Sequence, residues 1–135
     1  MRRLLPEPAD DITVDDAYGA ALGSRPDGPW VGMCMVASID GSIAVDGTSA
    51  KLSSPTDTAV LARLRRLADV VVVGAGTIRE EGYGVPRKQG QRIGVVTQTG
   101  HLDFTSDLFT SGAAFLITCN AGAPDAPPGI DVLRA

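Results

Sequence analysis

Aromatic residues are scarce in this sequence: one Trp, two Tyr and three Phe among 135 positions, or 4%. Basic residues are outnumbered too, with 12 Lys plus Arg against 16 Asp plus Glu and a net charge of -4. That sign is wrong for a generic nucleic-acid binder, which needs a cationic face against phosphate. The only histidine, His101, follows Thr99-Gly100 in a turn, and no Ser or Cys stands in an elbow context, so a nucleophilic triad has little support. The two cysteines, Cys34 and Cys119, are far apart and have no nearby His, so no metal site is expected. Both lie in apolar runs and read as buried thiols. No stretch approaches the roughly 18 apolar residues that span a bilayer, and Met1-Arg2-Arg3-Leu4-Leu5 runs at once into Pro6, Glu7 and Pro8. The expected location is the cytoplasm.

With 44% hydrophobic residues the chain can bury the core of one ordinary globular domain. Gly (16) and Pro (9) exceed the usual share without forming a repeat, so the excess belongs to functional loops. Residues 1–29 carry three basic and six acidic side chains and end in Arg25-Pro26-Asp27-Gly28-Pro29, which reads as an acidic arm. Within it, Thr13 followed by Asp15 and Asp16 suits a short helix over 14–22, with a solvated surface face as the equal alternative.

From Trp30 the texture changes. Trp30 to Ala37 is unbroken and apolar, the pattern of a central strand covered on both faces. Ser38-Ile39-Asp40-Gly41 ends it, and Val45-Asp46-Gly47 has hairpin chemistry. Ser54 as N-cap, Pro55 at the first helical position and Asp57 three residues after the cap open the clearest helix. Val60, Leu61, Leu64, Leu67 and Ala68 continue it at helical spacing, with Arg63, Arg65 and Arg66 near its C-terminal end. Val70-Val71-Val72-Val73 then runs into Gly74-Ala75-Gly76-Thr77, where Thr77-Ile78-Arg79-Glu80 has the form of a capping box for a short helix ending at Gly82. Residues 92–97, 113–118 and 129–133 read as further strands. Strands alternating with helices predict an α/β domain with a largely parallel sheet.

A strand feeding Gly-x-Gly and a helix start lets an anion approach the backbone, although glycines at such junctions equally serve tight packing. Arg79 stands where a dinucleotide fingerprint needs its third glycine, and no Gly-Lys-Ser/Thr completes a Walker loop. Asp40 follows a strand, where open α/β sheets place ligands; a turn aspartate capping its own backbone is the competing reading. The arginines at 63, 65 and 66 suit a phosphate or a solvated helix face.

The set Val36-Ala37-Ser38-Ile39-Asp40-Gly41, then Asp46-Gly47, Leu52-Ser53-Ser54-Pro55 and Ala68 to Arg79, in this order and spacing, resembles the reductase domain of riboflavin biosynthesis over about residues 30–120. The resemblance implies a dihydrofolate-reductase-like, doubly wound, mostly parallel sheet. It also implies NADPH-dependent reduction of a 5-amino-6-(5-phosphoribosylamino)pyrimidine, whose ribose is opened and reduced to ribitol, and a homodimer at full length. By the same resemblance Lys51, Gly74, Gly76, Thr77, Glu81 and Thr97 are cofactor-side positions, Ser49, Arg65 and Arg87 line the ribose-phosphate pocket, and Asp40 is the catalytic candidate in the site wall. Arginine suits that phosphate because its planar fork gives bidentate bonds.

Two features depart from the family pattern. Cys34 stands six residues before Asp40, where the family usually carries Lys or Asn, and a neutral thiol is a poor donor. Family domains also continue into a Glu-Gly-Gly-type strand-loop-helix over the cofactor pyrophosphate, whereas this sequence ends at Ala135. The expectation is therefore an acidic arm over 1–29 and a truncated, N-terminal portion of the reductase domain over 30–135. A non-catalytic remnant or nucleotide-binding module of the same fold is the alternative; true dihydrofolate reductase fits the Ser-Ile-Asp-Gly and Gly-Ala-Gly-Thr pair less well.

Overall fold

A computed structural model describes residues 1–4, 7–19, 26–119 and 126–134, divided into two compact units, Met1–Leu67 and Ala68–Ala135. The expected boundary at 29/30 falls inside the first unit.

In the first unit the amino terminus folds back on itself. The Met1 ammonium donates to the Ile12 carbonyl at 2.8 Å, and Arg3 and Ala9 form an antiparallel bridge. Helix α1 (Val14–Tyr18) opens with the Thr13 cap weighed from the sequence, and the cap is reciprocal: Asp16 N–H donates to Thr13 Oγ1 at 3.0 Å, and Thr13 N–H donates to the Asp16 carboxylate at 2.9 Å. Gly19 ends it, and the continuation expected to residue 22 lies outside the described residues. Helix α2 (Pro55–Leu67) begins as predicted, with Asp57 N–H donating to Ser54 Oγ at 3.1 Å. Arg63 ties the two helices together, its Nε 2.9 Å from Asp15 and its Nη2 donating to the Gly19 carbonyl at 3.3 Å. Part of the acidic arm is thus paired within its own unit.

Asp46 and Gly47 both take positive φ, 50° and 80°, between reciprocal Val45 and Thr48 backbone bonds, as the Asp-Gly hairpin signal predicts. The strand expected over Trp30–Ala37 does not form: among the described residues this segment joins no sheet, and Val31 and Met33 are each 87% exposed. An apolar run specifies a strand only where a partner ladder satisfies its backbone and a second layer covers its faces. Cys34 is consequently exposed, as is Cys119, so the expectation of two buried thiols fails.

The second unit holds the buried core. Four parallel strands, β1 (Val70–Gly74), β2 (Arg92–Val96), β3 (Ala114–Thr118) and β4 (Val132–Arg134), lie side by side in chain order. Between them run α3 (Ala75–Glu81) and α4 (Asp107–Thr110). The register sets Val71 beside Ile93 and Ile93 beside Ala114, then Val73 beside Val95, Leu116 and Val132 in succession. Because side chains alternate along a strand, these residues share one face. Ile93, Val95, Ala114 and Leu116 bury there against Ala75 of α3 and Leu108 and Phe109 of α4. On the opposite face Val72 is 57% exposed, and Gly94 leaves room for its neighbours: a Cβ there would stand 2.9 Å from both Phe115 and Ile117. Arg92 pairs with Asp131 at 2.7 Å and stacks 4.8 Å over the Phe115 ring, joining β2 to the start of β4 across β3.

These burials predict a contrast. Leu116→Ala removes a side chain with no exposed surface and lowers the unfolding free energy by about 2–5 kcal/mol. Met33→Ala changes it by less than about 0.5 kcal/mol. Denaturant titration of both variants checks this, and a large loss at Met33 would place that segment in a core.

Candidate functional site

The carboxyl edge of the sheet is built by two neighbouring strands. Gly74, the last residue of β1, pairs in register with Val96, the last of β2, so Ala75-Gly76-Thr77 and the Thr97-to-His101 turn begin side by side. Gly74 keeps an extended conformation (φ -75°, ψ 149°) and serves as the N-cap of α3 without any side-chain cap bond. The helix therefore starts at Ala75, and Thr77 sits within its first turn instead of capping it as the sequence pattern suggested. Small residues at 74–76 let the strand pass straight into the helix, and this pre-empts the later cap. The predicted end holds, with Gly82 left-handed at φ 62°.

The space over this junction is open. A Cβ on Gly74 would meet nothing within 4 Å, and one on Gly76 would meet only Arg79 Nη2, at 3.9 Å. Packing within the protein therefore does not require glycine at either position, whereas close approach of a ligand would. Thr97 is buried, and its Oγ1 accepts from the Gly100 N–H at 3.0 Å, so its side chain shapes the turn. Glu81 is exposed at the end of α3. Arg87 is exposed in the following loop, which is anchored by Lys88 Nζ to the Ala68 carbonyl (2.9 Å) and Asp69 (2.9 Å), and by Gln91 Nε2 to the Ala68 carbonyl (2.7 Å).

In the first unit Asp40 sits in an exposed turn with Gly41 at φ 85°. Its carboxylate accepts from the Ser38 hydroxyl and, at 3.4 Å, from the Ser42 N–H, while Ser38 Oγ also accepts from the Ser42 N–H at 3.1 Å. The Ser38 hydroxyl first, and the Ser42 amide second, hold the Asp40 carboxyl below the usual carboxylate range. Asp40 is therefore an ionised acceptor at neutral pH, and the capping role weighed for it is realised. Lys51 pairs with Asp46 across the hairpin, so Lys51 and Asp40 have separate partners. Ser49 lies half-buried just after the hairpin, and Arg65 half-buried in the last turn of α2. Sequence reasoning missed two positions. Ser38, two residues before Asp40, carries a local side-chain motif that could have been read. Arg79 registered only as a missing glycine.

An all-parallel sheet, flanked by helices and bearing a glycine junction at its carboxyl edge, defines an α/β protein of the dihydrofolate-reductase-like class. The chain belongs to the RibD C-terminal domain family, matched over residues 29–128, a reductase family of the riboflavin pathway. Among solved structures it is similar to a pyrimidine reductase-like protein from Corynebacterium diphtheriae, with 26% identity and a TM-score of 0.57. That match covers 75% of this chain and 52% of the other, so the chain spans about half the length of that relative. No curated protein sequence matches it. Among the described residues no helix is long and apolar enough to cross a membrane, and no three His, Cys, Asp or Glu gather as a metal site.

The Asp40 geometry predicts that Ser38→Ala raises the carboxyl pKa toward its ordinary value. A lowered folded-state pKa stabilises above the unfolded value and loses that contribution as pH falls through the folded value, so the variant shifts this loss to higher pH. A carboxyl NMR titration reads the change; an unmoved Asp40 would contradict the clamp.

Proposed function

We propose that the chain supports NADPH-dependent reduction of the ribosyl group of a 5-amino-6-(5-phosphoribosylamino)uracil to its ribitylamino form. The observation that carries this reading is the open glycine junction at Gly74 and Gly76, beside the Thr97 turn, in a chain of the RibD C-terminal domain family. The pyrimidine reductase-like relative supports the substrate class. When bound, the nicotinamide nucleotide supplies the hydride for the opened sugar carbon. The protein's part is to hold and orient. Gly74, Gly76 and Thr77 receive the cofactor phosphates at the backbone, Thr97 fixes the neighbouring turn, and Glu81 and Arg87 are the further cofactor-side and phosphate-side positions of the same unit. In the first unit the family resemblance supplies Lys51 toward the cofactor and Ser49 and Arg65 toward the ribose phosphate, for which arginine offers a bidentate fork. Asp40, held ionised by Ser38, is an acceptor suited to sugar hydroxyls.

A nucleotide-binding module without turnover is the second reading. It is favoured because, among the described residues, the buried core lies in the unit that carries most of the cofactor-side positions, and because Cys34 stands where the resemblance expects Lys or Asn. NADPH fluorescence titration followed by absorbance at 340 nm with the ribosylaminouracil phosphate separates the two. Substrate-dependent NADPH oxidation supports the reductase, binding without oxidation supports the module, and no binding removes both.

Gly76→Leu should leave the unfolding midpoint unchanged or raised, because glycine inside a helix is about 0.5–1 kcal/mol less favourable than alanine and the space is open. NADPH affinity should fall at least about tenfold, through loss of charge-assisted backbone bonds. Equal affinity in the variant would remove the phosphate-loop assignment.

A further inference from the structure

Arg79 is the one cationic side chain in α3, whose sequence is AGTIREE. Its guanidinium lies between the first turn of α3 and the end of the Thr97 turn. Nη1 donates to the His101 carbonyl at 3.1 Å, at the far end of the Thr97 turn, while Nη2 would lie 3.9 Å from a Cβ on Gly76. A guanidinium has five N–H donors in a fixed fork. The His101 bond engages one of them and sets the plane of the others against the open space over Gly76. The side chain is exposed, as are its neighbours Glu80 and Glu81, which lower the local potential for any anion that Arg79 does not meet directly. The next cations along the chain do not compete for this place: Lys88 is committed to Asp69 and the Ala68 carbonyl, and Arg87 lies in the loop beyond α3.

We infer that Arg79 is a specificity-determining residue, recognising the phosphomonoester that distinguishes a phosphorylated nicotinamide dinucleotide from an unphosphorylated one. This rests on the cofactor reading above and sharpens it. The pyrophosphate of either dinucleotide is a diester that backbone amides can meet. The extra monoester carries close to two charges at neutral pH and offers three acceptor oxygens, a group matched by an arginine fork. Anchoring through His101 places that fork beside the glycine junction before ligand arrives, so little side-chain freedom is lost on binding.

The test uses the full chain with NADPH and NADH as probes, comparing wild type, Arg79→Gln and Arg79→Lys by calorimetric or fluorescence titration. Wild type binds NADPH more tightly than NADH. Arg79→Gln removes the charge and the fork, weakens NADPH about 10- to 100-fold and leaves NADH unchanged. Arg79→Lys, which keeps charge without the fork, recovers part of the preference. If Arg79→Gln weakens both nucleotides equally, the residue acts only by supporting the turn and the inference falls; it falls also if neither changes. Wild-type protein that binds neither nucleotide overturns the cofactor reading itself, and the inference with it.

Discussion

The parallel pairing of β1 with β2 is the constraint on which the candidate site depends. Its register brings Gly74 opposite Val96, so helix α3 and the Thr97 turn leave the sheet at the same edge and level. The same register stacks Val73, Val95 and Leu116 in a row on the buried face. The hydrophobic contacts that hold the strands in place and the loop positions that form the edge are thus one arrangement. A one-residue slip would turn the valines outward and separate the glycine junction from the Thr97 turn together.

The site elements divide by physical character. At the sheet edge the useful groups are backbone amides around small residues, with a buried threonine and an anchored arginine fixing the neighbouring turn. In the first unit the groups are charged and exposed: an aspartate kept ionised by a serine, and a lysine balanced by Asp46. On the proposed reading, hydride chemistry belongs to a cofactor, and the protein contributes orientation and charge placement.

Much of this was legible where local chemistry decides structure. Ser54-Pro55 fixed the start of α2, Asp46-Gly47 the hairpin, and Thr13 with Asp16 the cap of α1, because each motif satisfies its own backbone without distant help. The strands β2 and β3 were legible as short, largely apolar runs, the first followed by a turn. Where a second element decides, local reading failed. Trp30 to Ala37 has a strand's composition but joins no sheet among the described residues, and Cys34 is exposed with it. Thr77 has a capping sequence, yet Gly74 and Ala75 begin the helix earlier. The four valines of β1 were legible as a strand, but not that its register leaves Val70 and Val72 on the open face. Arg79 was invisible for the same reason: its position against His101 is a tertiary fact, 22 residues away in sequence.

The central claim is that the carboxyl edge of β1 and β2 receives a nicotinamide dinucleotide. Backbone amide NMR of the full chain during NADPH addition tests it most directly. The account predicts saturable shifts concentrated at residues 74–79 and 97–101. Shifts confined to the α1–α2 region, with the glycine junction unmoved, would contradict it.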